Sequence, residues 1–97
     1  MDITSYEFYH ALTQLTFVEE IRLFGSRARG DNQERADIDL AIVCPKATDR
    51  DWSVIEEIID DADTLLKIDC VRFDALSNNS PLKKSIEREG IKLYEKQ

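Results

Sequence analysis

The chain is poor in the residues that define several protein classes. Among its 97 residues are three Gly, two Pro, two Cys and one His. So little Gly and Pro excludes collagen-like and low-complexity architectures. Cys44 and Cys70 fit no metal-ligand spacing and make a poor disulfide framework. Each lies in or beside an apolar run, and the reading is a buried, reduced thiol. No apolar run approaches the ~18 residues that a membrane span needs. The start, Met1-Asp2-Ile3-Thr4, lacks the basic-then-apolar pattern of a secretory signal, so the expected location is the cytoplasm, with no membrane contact. Basic residues are also scarce, 13 against 20 acidic, for a net charge of −7. A duplex-binding protein gains affinity by releasing counterions through Lys and Arg clusters. Beyond Arg27 and Arg29 there is none, and direct nucleic-acid binding is not expected. An acidic surface instead suits a basic partner.

What is present fits a globular protein: 42% apolar and 34% charged residues. The length predicts one domain, residues 1–97, with a thin stability margin. Thr4-Ser5-Tyr6-Glu7 reads as a capping box opening a helix to about Leu15. Ile21–Phe24 alternates and is β-rich, so it reads as a strand ending at Gly25-Ser26. Asp37 to Val43 reads as a second strand, with Ile38, Leu40 and Ile42 on one face and Asp37, Asp39 and Ala41 on the other. Thr48-Asp49-Arg50-Asp51 is a second capping signature. The helix after it, to about Leu66, places Trp52, Ile55, Ile58, Ile59, Ala62 and Leu66 at helical spacing. Lys67–Phe73 reads as a third strand. Ser80-Pro81 opens a last helix, which Gly90 closes in the position favouring a left-handed cap. Ile91–Tyr94 is a short terminal strand or a packed tail. The order predicts an α/β (α+β) fold, a small mixed sheet flanked by helices.

Two features carry chemistry. A strand running into Gly25-Ser26 and then a helix offers backbone N–H groups and a hydroxyl to phosphate oxygens, and Arg27 and Arg29 could add charge-assisted contacts. An ordinary strand-to-helix turn has the same pattern. Asp37 and Asp39 share a strand face, where two ionised carboxylates repel unless a cation lies between them. Such oxygen donors suit Mg²⁺ or Mn²⁺ held together with substrate phosphates. A solvated polar face is the plain alternative. Asp69 interrupts an apolar stretch, and joins the pair if its strand lies beside theirs. Asp74 and the run Asp60-Asp61-Asp63 are rivals, the latter reading as solvated charge at a helix end.

Taken together, Gly25-Ser26-x-Ala28-x-Gly30-Asp31, a short spacer and Asp37-x-Asp39-Leu40-Ala41-Ile42 resemble the DNA polymerase β-like nucleotidyltransferases. Within them the string is most similar to the minimal nucleotidyltransferases, the MntA-like antitoxins. The resemblance implies a small mixed sheet flanked by helices, ATP as substrate and Mg²⁺ (or Mn²⁺) as cofactor. By position, Gly25 and Ser26 would hold the triphosphate tail. Asp37, Asp39 and Asp69 would be the catalytic metal ligands, Asp69 also helping to activate the acceptor. Arg27 and Arg29 stand where the family varies. The implied partner is a HEPN-domain toxin that receives AMP on a tyrosine. Two other readings stay open: a nucleotide-binding module that neutralises its partner by contact, and transfer to a small molecule such as an aminoglycoside. Oligomeric state is open as well, and a homo-oligomer is compatible with the sequence.

Overall fold

The computed structural model describes Asp2–Gln97. A 3-10 turn (Ile3–Ser5) leads into α1 (Glu7–Thr13), β1 (Glu20–Phe24), α2 (Ser26–Arg29), β2 (Ile38–Val43), α3 (Asp49–Asp60), β3 (Ile68–Arg72), a second 3-10 turn (Phe73–Ala75), α4 (Pro81–Glu89) and β4 (Ile91–Glu95). The strands form one mixed sheet in the order β3-β2-β1-β4. β1 is antiparallel to both β2 and β4, and β2 is parallel to β3. A parallel pair needs a long crossover, and α3 supplies it. The predicted small mixed sheet with flanking helices is the fold observed, and the terminal segment is a full edge strand.

The period-two alternation of β2 divides the sheet. Ile38, Leu40 and Ile42 are fully buried and join Ile21, Leu23, Phe8, Leu12 and Ile55 in one apolar cluster, against which Ile68 and Cys70 also pack. Helices α1 and α3 therefore cover one face. Asp39 and Asp69 project to the other, because each is one position out of phase with those core residues. Among the described residues no helix is long and apolar enough to cross a membrane.

Local signals decided some boundaries and missed others. Thr48 and Asp51 form the expected capping box: the Thr48 hydroxyl accepts from the Asp51 amide, and the Thr48 amide donates to the Asp51 carboxylate. Ser80 caps α4, with Pro81 in its first turn. The expected box at Thr4 does not form. The Asp2 carboxylate is a stronger acceptor and takes both the Thr4 amide (3.0 Å) and the Thr4 hydroxyl (2.6 Å), so α1 starts only at Glu7. Its first turn is capped from afar: the Glu7 and Phe8 amides donate to Asp63, each at 3.1 Å. Those bonds hold the Asp63 carboxyl below the usual carboxylate range. The acidic run after α3 is thus not solvated charge throughout.

Helix α3 ends at Asp60, six residues short of the expected Leu66. Carboxylates at a helix C-terminus oppose its dipole, and the chain must also turn back into β3. Ile55 is its one fully buried residue; Trp52, Ile58 and Ile59 are partly buried. Gly90 is not left-handed: its φ is −69° and ψ 147°. It is glycine because a Cβ there would collide with the carbonyl oxygen of Ile86 and crowd that of Leu23. We expect Asp63→Ala to lower the melting temperature by loss of the helix cap, and Thr4→Ala to be nearly neutral, both measured by thermal melting.

Candidate functional site

Strand β1 ends at Phe24, which pairs with Asp39 across the antiparallel ladder. The following Gly25-Ser26 turn therefore lies level with the start of β2. Gly25 has φ 74° and ψ −157°, a region essentially confined to glycine. A Cβ there would overlap the carboxylate of Asp39. The glycine thus lets the turn fold tightly over an acidic side chain. Ser26 opens the single turn of α2, and Gly30 closes it in the left-handed conformation at φ 82°.

Both arginines of the turn make contacts within the protein. Arg27 donates from Nε and Nη2 to the carbonyl of Ala36 (3.2 and 2.8 Å) and from Nη2 to that of Glu34 (3.1 Å). Arg29 pairs with Asp31 (3.1 Å) and with Glu89 of α4 (3.5 Å), tying the turn to that helix.

The carboxylates come from two neighbouring strands. Asp39 and Asp69 are register partners of the parallel β2–β3 pair, as expected if Asp69 was to join the others. Asp37 lies one residue ahead of β2. Burial pushes the Asp39 carboxyl up first, followed by the charge of Asp69, a hydrogen bond with Asp69 and the charge of Asp37; Arg27 opposes them. Asp69 is more open, its side chain 44% exposed and 3.6 Å from the Lys67 ammonium. Among the described residues no three carboxylate, cysteine or histidine side chains already converge at metal-ligand spacing. The donor chemistry nevertheless fits a divalent ion. All three candidates offer hard oxygen atoms, and Asp39 lies within reach of two like charges that a cation would relieve.

The raised Asp39 carboxyl has a defined pH consequence. The folded protein holds this proton more tightly than the unfolded chain. The stability it contributes is complete below the unfolded value, near pH 4, and is lost as pH rises through the folded value. Without divalent ions, the melting-temperature advantage of Asp39→Asn over the parent should therefore grow from pH 4 towards neutrality. A difference that stays flat across that window excludes the effect.

The residues that steady the other end of β2 gave little sign of themselves in the sequence. Arg72 Nη2 donates to the carbonyls of Cys44 and Ala47, while its Nε pairs with Asp74 at 2.8 Å. Asp74 in turn accepts from the Cys44 amide. Asp74 is thereby engaged in holding the β2–α3 loop. Both cysteines are free, Cys44 buried and Cys70 partly so. Burial pushes their thiols up to about 11 and about 12, which makes them poor nucleophiles.

No curated protein matches the chain in sequence. Among solved structures, a toxin–antitoxin crystallised with AMP-PNP superposes with a TM-score of 0.69 at 21% identity, over 93% of this chain and 73% of that one. A variant of the toxin–antitoxin MntA-HpeT gives 0.65 at 18% identity, over 91% and 70% of the two chains. A candidate nucleotidyltransferase from Sulfolobus solfataricus gives 0.58 at 19%, over 92% and 75%. At such identities these matches speak for the fold. The family model described as "Polymerase beta, Nucleotidyltransferase" matches residues 8–97, nearly the whole chain. The chain belongs to the polymerase beta nucleotidyltransferase family.

Proposed function

We propose that this single domain is a divalent-metal-dependent nucleotidyltransferase that moves AMP from ATP to a hydroxyl of a partner protein, and that it thereby acts as an antitoxin. The observation that carries the reading is the pairing of Asp39 with Asp69 beneath the glycine turn. It brings two strands' carboxylates to the place where a strand-to-helix turn offers backbone donors. In this reading Gly25 and Ser26 hold the triphosphate tail, and Asp37, Asp39 and Asp69 hold Mg²⁺ or Mn²⁺. When bound, such ions polarise the phosphates and offset the charge that develops on the attacking and leaving oxygens. The acceptor oxygen bonds to the α-phosphorus as its bond to the bridging oxygen breaks. Pyrophosphate leaves, and the acceptor's proton passes to Asp69 or to solvent.

ATP is the favoured donor because a toxin–antitoxin of this fold was crystallised with AMP-PNP. The partner is inferred to be a HEPN-domain toxin modified on a tyrosine, in line with the motif's resemblance to MntA-like antitoxins. The surface suits a basic partner. A groove of about 300 Å³ between α1 and α3 is lined by Glu7, Glu57, Asp61 and Asp63 around Phe8, Ala11, Val54 and Ile58, with no basic side chain among the described residues of its wall. The test is incubation with α-³²P-ATP, Mg²⁺ and the protein encoded beside this chain. Label on that protein's tyrosine, with loss of its toxicity, is expected. Label on an aminoglycoside alone, or neutralisation with no label at all, overturns the reading.

A further inference from the structure

We propose that Arg27 is a positioning residue for the metal-binding carboxylate Asp37, and that its guanidinium serves the loop ahead of β2 instead of the triphosphate. The inference rests on the proposed nucleotidyl transfer and says how the acidic site is kept in shape.

The segment between α2 and β2 contains no helix or strand over residues 31–37, yet it must deliver Asp37 to a defined place. Arg27 bridges that gap from seven and nine residues upstream. Its Nε and Nη2 both donate to the Ala36 carbonyl, and Nη2 also reaches that of Glu34. Ala36 immediately precedes Asp37. A peptide unit is planar, so fixing the Ala36 carbonyl also fixes the amide nitrogen and Cα of Asp37. The next amide along is fixed from the other side, where Ile38 N–H donates to the Lys67 carbonyl at 2.9 Å. Asp37 is therefore held between two anchored peptide groups, one by a side chain and one by Lys67, the residue just ahead of β3. The donors that a guanidinium would present to a phosphate in a fork are, for Nε and Nη2, committed to backbone carbonyls. Arg27 also lies close enough to Asp39 for its charge to act on that carboxylate. The one side chain thus grips the peptide ahead of Asp37 and sets its charge near Asp39.

Arg27→Lys separates geometry from charge. It keeps a cation near Asp39 and loses the fork that grips two carbonyls. In nucleotide-free protein we expect Mn²⁺ affinity, measured by electron paramagnetic resonance, to fall about 10–100-fold, as when a group supporting a metal ligand is removed. Amide hydrogen exchange over residues 31–37 should quicken, while the Leu40 and Ile42 amides keep the parent's protection. Affinity for the triphosphate without metal should be unchanged. Arg27→Gln is a stricter second variant and covers insolubility of the first. Removing the positive charge should by itself draw a cation in, so weaker Mn²⁺ binding there can only come from lost positioning. If both variants bind Mn²⁺ and exchange residues 31–37 as the parent does, but lose metal-free triphosphate affinity, Arg27 is a phosphate ligand and the proposal is overturned. A parent protein that takes up no Mn²⁺ overturns the metal site itself, and with it the role assigned to Arg27.

Discussion

Replacing Asp39 by asparagine should lower nucleotidyl transfer about 1000-fold and, in buffer free of divalent ions, raise the melting temperature. The two effects have opposite signs because the same charge does both. The amide side chain would keep the size and shape of the original and lose the anionic oxygen that we assign to the metal. Metal stabilisation of a phosphoryl transition state is worth several kcal/mol, and ~4 kcal/mol is about three powers of ten in rate. In the metal-free protein the loss is a gain. Asp39 lies in a partly buried position directly across from Asp69, with Asp37 close by, and all of them push its carboxyl towards the protonated form. A like-charge pair on neighbouring strands destabilises by roughly 0.2–1 kcal/mol. For a domain of this size 1 kcal/mol corresponds to about 4–8 °C, so a rise of a few degrees is expected. An amide can also donate to Asp69, which a second carboxylate cannot do. Radiolabel transfer and metal-free calorimetry on the same preparation check both halves. A variant that melts well below the parent without metal would show Asp39 to be a structural partner, and the metal assignment would fall with it.

Gly25→Ala should be among the most damaging single substitutions at the site. Two independent penalties meet at this residue. Its backbone, at φ 74° and ψ −157°, lies where any side chain is strained by about 1–3 kcal/mol. The new methyl would also overlap the Asp39 carboxylate, and overpacking of this kind typically adds about 1–3 kcal/mol. Together they predict a loss of about 2–6 kcal/mol and, at about 4–8 °C per kcal/mol, a fall in melting temperature of roughly 8–48 °C. The two parts can be separated. In an Asp39→Ala background the overlap disappears and the strain remains, so Gly25→Ala should there cost only the backbone share. Equal losses in both backgrounds would show that Asp39 does not press on the glycine. Activity should vanish even in protein that still folds, because easing the collision must move either the turn or the carboxylate.

Several elements were legible in the residues. The alternation Ile38-x-Leu40-x-Ile42 settles which face of β2 is core and therefore which face carries Asp39, since a strand has only two sides. Thr48 with Asp51, and Ser80 with Pro81, mark helix starts because their bonds close within four residues. The acidic candidates and the glycine turn stood out by residue type and spacing. What eluded the sequence was long-range. Asp63 looked like free charge at a helix end, yet it caps α1 from more than fifty residues away. Gly90 looked like a left-handed cap and is instead a point where Ile86 and Leu23 approach the backbone. The bonds from Arg27 to the carbonyls of Glu34 and Ala36 likewise had no mark in the sequence.

By itself the sequence determined the element types, the buried face and the family, for these depend on local periodicity and on a motif of fixed spacing. The tertiary structure decided that β3 lies parallel to β2 in the register that sets Asp69 beside Asp39, that Gly25 folds over their edge, and that Arg27 donates to the carbonyls of residues 34 and 36. Strand order and register depend on which distant hydrophobic faces pack together. No short stretch of chain contains that information.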